Sequence, residues 1–304
     1  MLRIDDVYNG DSIELIKSID SETIHLILSD IPYGIGFEEW DVLHNNTNSA
    51  LLGSSKAQKK AGSVFKKRGK PLNGWSEADK KIPYEYQAWC SKWAKEWLRV
   101  LKPGASVFIF AGRRLSHRCI CAMEEAGFVF KDMIAWEKDS APHRAQRISG
   151  IYKRRNDETN EKQWNGWRVG NLRPIFEPIL WFQKPYKIGT TLADNVINYE
   201  VGAFNDELWN KYVKNSENLI RTKKSLLDHG LHPTQKPLVL MNALIELTTK
   251  PGQIVLDPFM GSGSTCVAAK SLGRKYLGFE LDKSYYDVAK ERLEKIEIQI
   301  KLDI

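Results

Sequence analysis

Cysteine is scarce and scattered. The four Cys of the 304-residue chain, Cys90, Cys119, Cys121 and Cys266, form no CxxC pair, and the six His are equally dispersed. Normal ligand spacing therefore draws no zinc site, and no metal is expected. Long hydrophobic runs are lacking too, so no membrane-spanning segment is expected. The opening MLRIDDVYNGDS has no signal-peptide character. These features predict a reduced, cytoplasmic protein with free thiols. No internal repeat is visible, and no hydrophilic linker separates two cores. The reading is a single domain over residues 1–304 with insertions.

Net charge is +7 with a pI near 9.0. That leans toward a polyanionic partner, but many basic proteins never meet nucleic acid. The basic residues are unevenly placed. Residues 41–82 carry few apolar positions and read as a basic loop insertion, with Lys66, Lys67 and Arg68 in its densest part. A second basic stretch holds Arg144, Arg147, Lys153, Arg154 and Arg155. Either is a solvated face or a set of phosphate contacts.

Elsewhere apolar periodicity is clear. Strands are predicted at 4–8, 23–29, 106–111, 130–137, 178–183, 254–256 and 276–281. Helices are predicted at 11–19, 84–101, 115–126, across the apolar stretch up to 248, and at 264–272 and 284–302. Trp89, Trp93, Trp97 and Leu101 recur every fourth residue, which is a core-facing stripe. Residues 139–175 and 184–230 resolve no pattern. Strands alternating with helices argue for an α/β fold, doubly wound around a mostly parallel sheet.

The segment IVLDPFMGSGSTCVAAKSLGRKYLGFELD reads strand, glycine turn, helix, strand. Gly261 and Gly263 permit a sharp turn and close approach of a ligand, with a helix N-terminus at Ser264 and Thr265. Glu280 ends the next strand, nineteen residues after Gly261. A carboxylate there accepts from both hydroxyls of a ribose. Cys266 occupies the place of the third glycine in GxGxxG, and Asp257 precedes the turn. A carboxylate at that point repels a pyrophosphate and suits a ligand carrying an ammonium and a sulfonium. S-adenosylmethionine is thus favoured over a dinucleotide, with a purely structural turn as the bland alternative.

Asp30-Ile31-Pro32-Tyr33 directly follows an apolar strand, and strand ends form the ligand crevice of such sheets. The amino nitrogen of a nucleobase is a poor nucleophile, because its lone pair is delocalised into the ring. A carboxylate and a main-chain carbonyl accepting its two N–H groups would draw density onto nitrogen and aim it. Proline stiffens the turn, and Tyr33 offers a ring for an extruded base. Alone, such a string is equally a common structural turn.

Taken together, NGDSIELI, SDIPYG, HPTQKPLVLMNALI and DPFMGSGSTCVAAKSLGRKYLGFELD stand in the order found in one family. The chain resembles the β-group amino methyltransferases of bacterial restriction–modification systems. In these the catalytic tetrad precedes the cofactor motif. The resemblance covers residues 1–38, 84–138, 176–186 and 230–293. It implies a Rossmann-like methyltransferase fold with permuted motif order, and a target-recognition region over 139–230 interrupted by a core strand near 178–183. It implies a cytoplasmic, nucleoid-associated enzyme that methylates the N6 of adenine in double-stranded DNA after base flipping. Asp at the first tetrad position leans to adenine, and cytosine-N4 is the alternative.

The resemblance also assigns roles. Asp257, Phe259, Gly261 and Gly263 would wrap the cofactor, Glu280 its ribose, and Asp11 and Ser12 its adenine. Thr234 and Lys236 would lie by its methionine carboxylate. Asp30, Ile31, Pro32 and Tyr33 would hold the target, with Ile31 departing from the family's usual proline. A homodimer and a cognate restriction endonuclease are the further partners such a family admits. None of the twelve Pro precedes a Cys, which excludes the Pro-Cys nucleophile of cytosine-C5 methylation. An idle nucleic-acid-binding module and a dinucleotide oxidoreductase are the readings from other classes. Because the cofactor half comes last, the C-terminal helix should lie near the N-terminal strand.

Overall fold

The structure is a computed structural model, and it describes residues 2–33, 77–141, 145–222 and 235–302, with side chains to residue 296. The basic loop insertion thus lies almost wholly outside the described residues, as do Thr234 and Arg144.

Ten strands are described. β1 (Asp6–Asn9), β2 (Ile24–Asp30), β3 (Leu101–Phe110), β4 (Val129–Lys138), β7 (Phe176–Gln183), β8 (Leu219–Thr222), β9 (Ile254–Asp257) and β10 (Lys275–Glu280) form one sheet. Its order is β1-β10-β9-β2-β3-β7-β4-β8. Every neighbouring pair is parallel except those made by β7, which runs antiparallel to β3 and β4. The last two strands in sequence therefore lie between the first two. β5 (Gln146–Arg147) and β6 (Arg168–Val169) make a separate antiparallel pair.

Side-chain alternation loads both faces of the sheet, as a doubly wound sheet requires. Ile27, Val107 and Ile109 face one cluster, while Leu26, Leu28, Phe108 and Phe110 face the other. The first face is covered by α2 (Glu77–Val100), through Trp93 and Trp97, and by α3 (Ser116–Glu125). The helix α1 (Ser12–Leu15), capped by Asp11 accepting from Ile13 N, precedes them. The other face carries α8 (Leu238–Thr248) and α9 (Ser264–Ser271). The closing α10 (Lys283–Leu302) packs on β1 and β10, so the two ends of the chain meet as the motif order requires.

Several boundaries differ from expectation. Helix α2 starts at Glu77 rather than 84 and contains Pro83. Lys102-Pro103-Gly104 does not separate helix from strand. It lies inside β3, where the register against β2 shifts between Ile24 and Leu26.

The unpatterned region also resolves. α4 (Ile148–Lys153) and α5 (Glu158–Gln163) pack on each other beside β5 and β6. α6 (Leu192–Tyr199) packs on β3, and α7 (Asp206–Trp209) on α8. Among the described residues no helix is long and apolar enough to cross a membrane.

Candidate active site

A cavity of about 380 Å³ opens where β1, β2, β9 and β10 end, with Gly10, Asp30, Asp257 and Glu280 on its wall. The strand ends converge there because the parallel strands all point their C-termini to one edge. Asp11, Ser12, Phe259, Gly261, Ser264 and Thr265 line it as well.

The donors and acceptors suit a sulfonium nucleoside. Glu280 is half-buried, and its two oxygens accept from Gly261 N and Asp282 N at 2.8 Å each. Those bonds fix the carboxylate and leave its second lone pairs for a ribose. Burial lifts the Glu280 carboxyl above its usual range, against these amide hydrogen bonds. Asp257 is buried and is also lifted, to about 7, by desolvation and by Asp30 nearby. Its Oδ1 accepts from Ser29 Oγ at 2.7 Å and from Phe259 N at 3.1 Å. A cationic ligand would supply the positive charge that this buried acid lacks. Gln235 lines the cavity with both amide atoms buried and without a partner among the described residues. Buried polar atoms need partners, and a carboxylate–ammonium ligand offers them. Trp89 and Phe259, with ring centroids 5.6 Å apart, add an apolar wall. The residues present therefore fit S-adenosylmethionine.

Beside this cradle stands the tetrad. Asp30 ends β2 and is 22% exposed, so it is open to the cavity. Tyr33 Oη lies 3.0 Å from Asp30 Oδ1, and Lys236 Nζ donates to Asp30 Oδ2. Ile31 is buried in the core, so only its backbone can face the cavity. That accommodates the departure from proline at this position. The Pro32 carbonyl accepts from Tyr86 Oη at 3.0 Å. Gly112 backs the tetrad: a Cβ there would stand 3.0 Å from Tyr33 Cβ, so a larger residue would displace the ring.

Glu177, on β7, escaped the sequence reading. It is buried, accepts from Tyr33 Oη, and pairs with both Lys138 and Lys236. Burial alone would raise its carboxyl, but the two ammoniums outweigh that and hold it down at about 2. Asp30 is raised by burial, with Glu177 adding to the rise and Lys236 opposing it. Lys236 is raised in spite of burial, because it lies between two carboxylates.

Three placements add detail that the sequence did not give. Gly263 does not line the cavity. It has φ +79°, and a Cβ there would stand 2.8 Å from Ala289 Cβ, so it is the glycine that lets α10 pack against the turn. The Lys236 ammonium, expected by a methionine carboxylate, lines the cavity and also pairs with Asp30 and Glu177. Trp89 faces the cavity rather than the deep core that Trp93 and Trp97 fill.

Of the basic residues predicted to meet nucleic acid, Arg147, Lys153, Arg154 and Arg155 are exposed around the β5–β6 pair and α4. Lys66, Lys67, Arg68 and Arg144 lie outside the described residues. Arg113 and Arg114, not singled out in the sequence, are exposed directly after Gly112 and so flank the tetrad.

Comparison with known proteins agrees with this geometry. The family model described as DNA methylase, of the N6/N4 amino class, matches residues 24–291. The Type II methyltransferase M.HindIII of Haemophilus influenzae is 59% identical over 295 residues, covering 95% of each chain. The crystal structure of the M1.HpyAVI–SAM complex is 25% identical with a TM-score of 0.54, covering 95% of this chain and 98% of that one. The PvuII DNA methyltransferase, titled cytosine-N4-specific, has a TM-score of 0.61 at 18% identity, covering 98% and 91%, and shares the fold. The chain belongs to the DNA methylase family: it is a Type II, S-adenosylmethionine-dependent DNA amino methyltransferase of the bacterial restriction–modification class, acting on either adenine N6 or cytosine N4.

Proposed function

We propose that the base methylated is adenine, at N6, and that Asp30 is the acceptor that orients its amine. The observation carrying this is the carboxylate at the end of β2, open to the cofactor cavity and anchored by Tyr33 and Lys236. In the family this chain resembles, Asp at the first tetrad position leans to adenine.

Asp30 accepts one amine N–H. The Ile31 carbonyl is the acceptor for the second, while the Pro32 carbonyl accepts from Tyr86 Oη. The two acceptors localise the lone pair on nitrogen and point it into the cavity. Tyr33 supplies the stacking face for the flipped base. S-adenosylmethionine, when bound, supplies the electrophilic methyl group. Glu280 holds its ribose, Asp11, Ser12 and Phe259 its adenine, and Asp257, Gly261, Ser264 and Thr265 the glycine-turn side. DNA from cells expressing the chain should contain N6-methyladenine that is absent when Asp30→Asn is expressed. N4-methylcytosine in its place would transfer the reading to cytosine.

The raised Asp257 gives a pH test. Its ionised form attracts the cationic ligand, and that form is lost as pH falls through about 7. Affinity for S-adenosylmethionine should therefore weaken from pH 8 to pH 6, approaching about tenfold per unit below the pKa. Calorimetric titration would measure it. Asp257→Asn should flatten the dependence, and a wild-type affinity independent of pH would contradict it.

On the DNA side, β5, β6, α4 and α5 form the natural target-reading unit, because α6, α7 and β8 are tied to the sheet body. This narrows the 139–230 region to about residues 145–170. Arg113 and Arg114 at the tetrad's rim are placed to hold phosphates next to the flipped base. Replacing both with Ala should reduce the slope of log K against log salt by about 1–2, one per lost phosphate contact. Cofactor affinity should not change. An unaltered slope in a DNA-binding titration would remove them from the interface.

A further inference from the structure

The geometry points to Glu177 as a positioning residue of the amine site: it is the second acceptor that takes Lys236 and the Tyr33 hydroxyl off Asp30 when the target amine arrives. This rests on the reading of Asp30 as the amine's acceptor.

Asp30 Oδ2 is engaged by Lys236 Nζ, while Oδ1 lies 3.0 Å from Tyr33 Oη, whose single proton is contested by Glu177 Oε1. A second lone pair on each oxygen remains for an incoming N–H, but the amine must share the carboxylate's charge with Lys236. Both donors reach the same further carboxylate oxygen, and Lys236 Nζ also lies 3.3 Å from Tyr33 Oη. Glu177 Oε1 accepts from Tyr33 Oη and lies 3.3 Å from Lys236 Nζ. The other oxygen, Oε2, is tied to Lys138 Nζ, which fixes the carboxylate in place.

Electrostatics make the exchange feasible. Lys236 is buried, and a buried ammonium without a partner is heavily penalised. With Glu177 beside it, Lys236 leaves Asp30 without losing its counter-charge. Without Glu177, Lys236 would stay locked on Asp30 and compete with the substrate. Glu177 comes from β7, the antiparallel strand inserted between β3 and β4, and Asp30 and Phe110 are partners on β2 and β3. Phe110 pairs with Ile179, so the start of β7 lies beside the tetrad.

A purely structural Glu177 would only neutralise its lysines, and the two roles predict different kinetics. Among the described residues, the ionisable groups facing Asp30 are Tyr33, Lys236, Glu177 and Asp257. Glu177→Gln removes a like charge and leaves Lys236 wholly on Asp30. Asp30 then ionises more easily, so the acid limb of the kcat–pH profile should move to lower pH. At the same time kcat should fall about tenfold or more, the worth of one hydrogen bond to a charged group. The Kd for S-adenosylmethionine should stay unchanged.

The experiment is the kcat–pH profile of purified full-length Glu177→Gln, with duplex DNA and saturating cofactor. The double variant Glu177→Gln/Lys236→Met is measured beside it. Removing the competing ammonium should restore part of the lost kcat, with the acid limb now moved to higher pH because Asp30 has lost its cation. If the Gln variant does not fold, Glu177→Asp keeps the charge and withdraws the acceptor by one methylene, and should lower kcat at unchanged cofactor Kd. A folded, cofactor-binding Gln variant with wild-type kcat and an unmoved acid limb would overturn the proposal. So would a loss that the double variant does not relieve at high pH, or a folded Asp variant with wild-type kcat. A wild-type protein that methylates no DNA amine would instead refute the parent reading of Asp30.

Discussion

Asp30→Ala is expected to abolish methyl transfer while cofactor binding persists. Removing one preorganised group that stabilises developing charge commonly costs about 10²–10³ in rate. Here the loss should reach at least that, since Asp30 both orients the amine and holds Tyr33 and Lys236 in place. The fold should survive, because Lys236 keeps Glu177 as a partner at 3.3 Å. Breaking a buried pair outright would cost about 3–5 kcal/mol. Asp30→Asn is the tighter control, since it keeps the shape and one acceptor oxygen but loses the charge. Single-turnover methylation and calorimetric cofactor binding, run on the same preparation, separate the two effects. Retained turnover in either variant would refute the mechanism.

Glu280→Ala should act in the opposite order, weakening cofactor affinity first. Two ribose hydroxyls donating to one carboxylate are worth about 1.5–3 kcal/mol apiece at most. A combined loss of about 3 kcal/mol corresponds to roughly a hundredfold in Kd. Part of that loss passes through the protein, because Glu280 also accepts from the Gly261 and Asp282 amides and so shapes the glycine turn. At saturating S-adenosylmethionine, kcat should return to within a few-fold of wild type. A Kd unchanged by the substitution would take the ribose out of Glu280's reach.

What could be read from the chain, and what could not, follows the range of the interactions. The tetrad and the glycine turn are local: an apolar strand, an abrupt carboxylate and a chain-breaking Pro or Gly lie within ten residues of each other. The same locality offered Asp11 or Ser12 as the cap of the first helix, and Asp11 fills it. Glu177 was not legible, since its meaning depends on Tyr33, which is 144 positions away in sequence. Its one signal was a lone acid at the head of the apolar run EPILWF, which burial would forbid without cationic partners. Gly263 was assigned to the ligand because a glycine turn serves both a cofactor and a packed helix, and only the position of Ala289 separates the two. Trp89 shared the four-residue spacing of Trp93 and Trp97, but that periodicity does not reveal where along a helix the core gives way to a cavity. The two-residue strands β5 and β6 are too short for any period to register.

The permuted order is the fold property that makes the site. With β9 and β10 lying between β1 and β2, Asp30 at the end of β2 and Glu280 at the end of β10 open on the same cavity.

The most direct measurement is nucleoside analysis after incubating the purified protein with duplex DNA and methyl-labelled S-adenosylmethionine. The account predicts label in N6-methyladenine from the wild-type protein and none from Asp30→Ala. Label in N4-methylcytosine would contradict the choice of base, and equal label from both proteins would contradict the role of Asp30.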